Sequence, residues 1–391
     1  MKKVLMLASV ASMIDQFNRS NLDILIDMGY EVHVAANFIN GNTSSNKRTN
    51  DFKRELLELG VIYHQIDFSR KITNIGLNIR AYKQIKSLMK ENNYDFIHCH
   101  SPIGGVCGRI AGYKTKTPVM YTAHGFHFHK GAPLKNWLLF YPVERQLAKL
   151  TDILITINNE DQKLSRKFKA KEVAYVPGIG IDSEKFEKIV VDKESIRQEL
   201  GIPPETTVLL SIGEMIKRKN HETAIRALAK LNKEEFIYLI CGKGELESYL
   251  KEIVISLGLE NKVKFLGFRK DIPEICLASD VFLFPSFQEG LPVSVMEAMS
   301  AGLPVVCSSI RGNTDLITNG VGGYLVEPNN INGFKENISK LIDRNNSSLI
   351  KKMGAINIKE VKKYDKKVVI VKMQSLYKKI ASGDLEKTYK N

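Results

Sequence analysis

Short apolar runs alternate with segments of helical period along almost the whole chain, and no other feature narrows the fold as much. In the first half the runs are VLMLAS, EVHVAAN, VIYHQIDF, FIHCHS, VMYTAHG, ILITIN and EVAYVP, with stretches such as IGLNIRAYKQIKSLMKENN between them. Strands alternating with helices imply βαβ units and a parallel, doubly wound sheet. PGIGIDSEKFEK, residues 177–188, breaks the series. Beyond the polar segment 189–206 a second series begins: TVLLSIG, FIYLICG, VKFLGF, VFLFPS, PVVCSS and GYLV. The chain has 391 residues, enough for two cores, since single cores stop growing at roughly 250–300 residues. The pattern predicts an α/β protein of two Rossmann-like domains with a cleft between them. The boundary falls near residue 185, giving domains 1–185 and 186–365. The tail, roughly 354–382, reads as one or two basic helices, and its last part, about 366–382, is expected to pack back on the first domain.

Lys and Arg number 57 against 43 Asp and Glu, a net charge of +14. That balance suits nucleic acid, an anionic membrane or a phosphorylated substrate. The basic residues are spread rather than clustered, and no recognition motif with aromatic interleaving appears, which argues against nucleic acid. Five scattered cysteines, Cys99, Cys107, Cys241, Cys276 and Cys307, lack metal-ligand spacing and sit mostly in apolar runs. They imply a reducing, cytoplasmic setting without structural disulfides. MKKVLMLASVASM imitates a signal peptide, but the alternation continues straight into FNRSNLDILIDMG and EVHVAAN, so it reads as a first strand. No apolar run approaches the roughly 20 residues of a membrane-spanning helix.

Open α/β sheets bind ligands beyond the carboxyl ends of their strands, so function is sought in the loops that follow the apolar runs. One of these, SFQEGLPVSVMEAMSAGLPVV (286–306), holds two acids eight residues apart, Glu289 and Glu297. VFLFPS reads as a buried strand and FQEG as the loop leaving it. Pro292 suits the first residue of a helix, which Gly302 and Pro304 then close. Free N–H groups at such a helix start form an anion site suited to a diphosphate. Glu289 sits at the mouth and Glu297 about a turn and a half inside. Acids near a helix start also complement the macrodipole, and spacing alone leaves both readings open.

The pattern F-P-S-x-x-E-G-L-P-x-x-x-x-E-A-M-x-x-G-L-P-V-V resembles the signature of family 4 retaining glycosyltransferases, which have the GT-B fold. VKFLGFRKDIPEICLASDVFLFPS and CGKGELESYL resemble the same family, strongly over roughly 205–330 and more weakly over 1–185. The resemblance implies that Glu297 binds the ribose hydroxyls of a nucleotide and Glu289 the hydroxyls of a donor sugar. The backbone at Gly290, Leu291, Pro292 and Val293 would line the diphosphate pocket. The loop Gly267–Phe268–Arg269 would hold the base, largely through backbone. SIGEMIKRKNHE (211–222), which includes Gly213 as a substrate-binding candidate, is similar to the segment that supplies an Arg and a Lys to the diphosphate. Lys219 matches the Lys, but the usual Arg position is Glu214, with Lys217 or Arg218 as substitutes. His124, in YTAHGFHFH, matches a family His near sugar and acceptor; His127 and His129 match nothing. The first-strand loop, Gly-rich in many relatives, reads SVASMID here, with Asp15 and Asn18 as polar candidates.

The implied reaction moves a hexose or N-acetylhexosamine from a UDP-sugar to an acceptor hydroxyl, with no cofactor. No Asp-x-Asp triplet and no metal-ligand cluster occurs in the sequence, which predicts activity without a divalent cation. Residues 127–150 hold the only Trp and several aromatics, with Lys130, Lys135, Arg145 and Lys149 against a single acid, Glu144. Such a helix lies in a membrane interface or packs Trp137, Leu138 and Phe140 into a core. The resemblance, closest to capsule and exopolysaccharide transferases, implies peripheral contact with the cytoplasmic face of the membrane and a polyprenyl-diphosphate-linked saccharide as acceptor. Rival readings are a UDP-sugar epimerase or sugar phosphorylase of the same fold, which the EGLP signature argues against, and a non-catalytic partner subunit.

Overall fold

A computed structural model of the chain describes residues 2–231 and 235–386. These form two compact units: residues up to Ile179 together with those from Lys367 onward, and Gly180–Lys366. The first crossing falls a few residues before the expected position near 185, because helix Ser183–Lys188 packs against helices Ile272–Ala278 and Val293–Ser300 of the second unit.

The first unit holds a seven-stranded sheet in the order β3 (Ile62–Gln65), β2 (Glu31–Asn37), β1 (Lys3–Val10), β4 (Phe96–His100), β5 (Val119–Ala123), β6 (Ile153–Thr156) and β7 (Glu172–Tyr175). The second holds six strands in the order β10 (Val263–Gly267), β9 (Phe236–Cys241), β8 (Thr207–Ile212), β11 (Val281–Phe284), β12 (Val305–Ser308) and β13 (Gly323–Val326). Every neighbouring pair is parallel. Each apolar run quoted above supplies one strand. The runs of the inner strands are continuous rather than alternating because helices cover both faces of a parallel sheet; the edge strands β3 and β10 are only partly buried. All five cysteines are buried free thiols.

Helix Pro102–Thr115 lies tightly on the first sheet. A Cβ on Gly105 would meet the Tyr121 ring at 2.4 Å, and one on Gly108 the Cys99 Sγ at 2.3 Å. The same helix buries Arg109, whose guanidinium donates to both carboxylate oxygens of Glu144 at 2.8 and 3.0 Å and stacks 4.1 Å over Tyr121. The basic tail forms two helices, Ser347–Val361 and Lys366–Ser382. The second packs Met373 and Tyr377 into the first unit's core beside Phe96 and Met120.

Two local outcomes differ from what the sequence suggested. The first strand has no loop after it: β1 runs directly into helix Ala11–Phe17. Asp15 is held there by Arg19 and Arg48, and Asn18 donates to the Met13 carbonyl, so both are spent on holding this corner. In helix Leu134–Leu147, Trp137 and Phe140 turn toward the core, but Leu138 is 71% exposed.

Candidate active site

In the second unit β8 lies between β9 and β11, so the sheet order reverses at the β8/β11 pair. Loops leaving adjacent carboxyl ends at such a switch point must meet. The loop after β8 carries the turn Lys217–Lys219, followed by Asn220 in left-handed backbone (φ 55°). The Asn220 side-chain amide donates to the Pro285 carbonyl at 2.9 Å and the Pro328 carbonyl at 3.1 Å. That pins the basic turn to the exit of β11.

The consequence is a tight charge cluster. Arg218 Nη1 and Lys219 Nζ each donate to the same oxygen, Glu289 Oε1, at 2.8 Å. Glu289 is 8% exposed; its Oε2 accepts from no side chain of the described residues. Lys219 also lies 4.7 Å over the Phe284 ring. Its stem crosses Gly213, where a Cβ would meet the lysine at 3.3 Å. Glu214, at the usual Arg position, is exposed and outside the cluster, and Arg218 brings a guanidinium there instead.

Beyond Glu289 begins helix Val293–Ser300, with Pro292 as N-cap and no side chain capping it. Pro292 has no side-chain acceptor, so the amides of the first turn are left for another partner. Gly290 and Leu291 are fixed from behind. The Arg311 Nε donates to the Glu289 carbonyl at 3.1 Å, and a Cβ on Gly312 would lie 2.4 Å from the Gly290 carbonyl oxygen. The side-chain carboxyl of Glu297, one turn into the helix, has no hydrogen-bond partner among the described residues. Burial pushes its carboxyl up to about 7, opposed only by the charge of Lys185. A carboxyl so placed is a ready acceptor for a ligand hydroxyl.

Three strand exits join into a backbone shelf. Gly242 N donates to the Gly267 carbonyl at 2.8 Å, Gly213 N to the Cys241 carbonyl at 2.9 Å, and Met215 N to the Lys243 carbonyl at 3.1 Å. Gly267 is left-handed (φ 64°), and the following Phe268 is 71% exposed. Arg269 spends its guanidinium on Asp271, which leaves the backbone of this loop as its contribution.

The first unit places His124 just past β5, half-buried, with its Nε2 3.1 Å from the His100 Nδ1 at the end of β4. His98 lies behind, bonded to the Tyr377 hydroxyl and the Thr122 hydroxyl, both at 2.8 Å. Burial pushes His124 down to about 4 and His98 down to about 3, and holds His100 well below the usual imidazole range. All three rings are neutral at neutral pH. His100 Nε2 is buried without a partner among the described residues. At the adjacent exit Ser9 and Ser101 hydroxyls meet at 2.5 Å, and Ser101 is held at φ 64°. His127 packs on Phe140 and His129 bonds the Lys130 carbonyl, so neither joins the cluster. Sequence reasoning missed His98, His100, Ser9, Ser101 and Arg311. FIHCH reads as an ordinary strand, and only its pairing with β5 reveals the histidine row.

A family model described as Glycosyltransferase Family 4 matches residues 23–185, and one described as Glycosyl transferases group 1 matches residues 192–360. The putative glycosyltransferase EpsD of Bacillus subtilis (strain 168) is 32% identical over 387 residues, covering 96% of each chain. A UDP-Gal:alpha-D-GlcNAc-diphosphoundecaprenol alpha-1,3-galactosyltransferase of Escherichia coli is 33% identical over 281 residues, 68% of this chain and 72% of that one. The crystal structure of HepE from Anabaena in complex with UDP and glucose superposes with a TM-score of 0.73 at 22% identity, covering 98% of this chain and 100% of that one. At that identity the likeness speaks for the fold. With both units matched and a full-length relative at 32% identity, this chain belongs to glycosyltransferase family 4 and has its GT-B fold.

Proposed function

We propose that the protein is a retaining glycosyltransferase that moves a hexose or N-acetylhexosamine from a UDP-sugar to a polyprenyl-diphosphate-linked saccharide in surface polysaccharide assembly. The observation that carries this reading is the convergence of Arg218 and Lys219 on one oxygen of Glu289 beside an uncapped helix start. It is supported by the lipid-diphosphate acceptor in the name of the Escherichia coli relative.

In this reading Glu297 accepts from the ribose hydroxyls, and the Gly267–Arg269 backbone borders the base. The leaving diphosphate takes Lys219, Arg218 and the first-turn amides of the helix. Charge develops on that diphosphate as the bond to the sugar breaks, and fixed donors stabilise it without reorganising. Glu289 has two jobs: Oε1 orients the two cations, and Oε2 accepts from a hydroxyl of the donor sugar. His124, neutral at working pH, offers a hydrogen bond on the sugar side without a competing positive charge. No metal is assigned a role, and activity is expected without added divalent cation.

No helix of the described residues is long and apolar enough to cross a membrane. We assign the enzyme to the cytoplasmic face, held peripherally through helix Leu134–Leu147. That helix exposes Leu134, Leu138 and Leu139 beside Lys135 and Arg145, an interfacial pattern. The test is transfer of label from UDP-sugars to undecaprenyl-diphosphate-linked saccharides in detergent, with and without EDTA. Product that forms in EDTA and keeps the donor's anomeric configuration supports the reading. Complete loss in EDTA, restored by Mn²⁺, contradicts the metal-free assignment. Hydrolysis or epimerisation without transfer contradicts the reaction.

A further inference from the structure

We infer that a groove on the outer face of the first unit binds the hydrocarbon tail of the acceptor lipid. This rests on the polyprenyl-diphosphate acceptor proposed above, and it assigns the tail a site of its own.

The groove is a cavity of about 470 Å³ between helices Ile75–Asn92, Pro102–Thr115 and Leu134–Leu147. Ile75 and Ile79 form one wall, Val106 and Ile110 the floor, Leu139 and Val143 the other wall. Ile75 is 66% exposed and Leu139 57%. Apolar side chains of this size standing open on three adjacent helices call for an apolar occupant. Of the polar members of the wall, Glu144 and Asn78 are already bonded, and Tyr82 offers a single hydroxyl. Glu144 gives both oxygens to Arg109, and Asn78 bonds the Ser69 amide and the Lys71 carbonyl. An occupant therefore meets a lining that is almost wholly apolar.

Position and charge identify that occupant. Helix Pro102–Thr115 starts two residues after His100, so the Pro102–Ile103 end of the groove lies at the sheet edge that carries His100 and His124. A chain lying in the groove would keep its head at that edge and lead its tail away. Between Asp67 and Glu144 the sequence has eleven Lys and Arg against two acids, Glu91 and Asp95; Arg80 and Arg109 are paired with Asp67 and Glu144, which leaves nine against the two. That excess fits a diphosphate head and anionic lipid neighbours. A hydrocarbon tail with an anionic head satisfies both requirements, whereas an apolar protein segment would leave the basic surroundings unused.

The test uses the full chain in detergent with a polyprenyl diphosphate that carries a photoactivatable diazirine on its proximal isoprene units. Cross-links are mapped by mass spectrometry, and UDP affinity, thermal midpoint and sugar transfer are measured in parallel. Val106→Trp and Ile79→Trp fill the groove from two sides. We expect cross-links on the segments 72–82, 102–110 and 139–144. Each buried methylene contributes roughly fourfold in affinity, so either variant should weaken labelling about tenfold or more with UDP affinity unchanged. Labelling elsewhere, or labelling that both folded variants retain, overturns the groove. The two readings fail separately. Groove labelling without transfer to any polyprenyl-linked saccharide refutes the acceptor and keeps a hydrocarbon site. Transfer with no groove labelling refutes the groove and keeps the acceptor.

Discussion

Each unit of this enzyme holds an arginine–glutamate pair at its centre, and the two pairs are put to opposite uses. Arg109–Glu144 in the first unit is closed: both carboxylate oxygens are bonded and the guanidinium is fully buried. Arg218–Glu289 in the second is open. Lys219 joins it, Arg218 keeps 40% of its side-chain surface, and the second carboxylate oxygen accepts from no side chain of the described residues. His98, His100 and His124 of the first unit are pushed toward neutrality by burial, and the second unit gathers charge at a helix start. The same doubly wound topology thus yields one strand exit lined by neutral imidazoles and one that gathers charged side chains. The lesson is that ion pairing alone does not mark a site; an unsatisfied valence beside it does.

The largest expected effect breaks the closed pair. Glu144→Ala leaves a buried guanidinium without its partner, which typically costs about 3–5 kcal/mol. Denaturant unfolding should show that loss, with UDP affinity of the remaining folded protein unchanged. Glu289→Gln should cost far less stability, because Arg218 can turn to solvent, and should instead reduce turnover. Equal destabilisation by both changes would erase the distinction between the pairs.

Next comes Lys219→Ala, which removes a donor to the leaving diphosphate. Turnover should fall by about 10²–10³, with a thermal midpoint near that of the parent. A change in KM alone would mean that Lys219 binds substrate and transition state equally.

A smaller effect concerns pH. Glu297 titrates near 7 in the free protein, well above an ordinary carboxyl, so it is largely protonated at pH 6. Ribose hydroxyls donate to the ionised form and draw its pKa down on binding. UDP-glucose affinity should therefore rise with pH through this range, about tenfold for each unit by which binding lowers the pKa. Its phosphates do not titrate there, and Glu297→Gln should give a flat profile. A parent profile as flat as the variant's would remove the ribose role. In the first unit His98, His100 and His124 stay neutral over the same range, so His124→Gln should change the rate without changing the shape of this profile.

How much of this was readable from residue order follows from which interactions are local. The strands were legible because most are apolar runs buried on both faces, while the edge strands β3 and β10, only partly buried, were marked by their place in the alternation. The placement of Glu289 and Glu297 was legible through a motif whose spacing is set by one strand, one loop and one helix, and that of Lys219 through a second segment that follows β8. His100 was not, because its meaning depends on His124, which is 24 residues away and brought near only by the pairing of β4 with β5. Arg218 was ambiguous within KRK until Asn220 fixed the turn against the exit of β11. The helix over 134–147 has apolar residues on both sides, and periodicity did not say which side faces out. Asp15 looked like a polar candidate only because the partners that hold it, Arg19 and Arg48, come from two different helices.

The most direct test of the central claim is calorimetric titration of the purified protein with UDP, GDP, ADP and their sugars, without added metal, beside Glu297→Ala. The account predicts that uridine nucleotides bind and the others do not. It also predicts that Glu297→Ala weakens binding by roughly 10–100-fold, the worth of hydrogen bonds to a charged group. Absence of binding by any nucleotide, or binding that Glu297→Ala leaves untouched, would contradict a nucleotide-sugar site at the Glu289–Glu297 helix start.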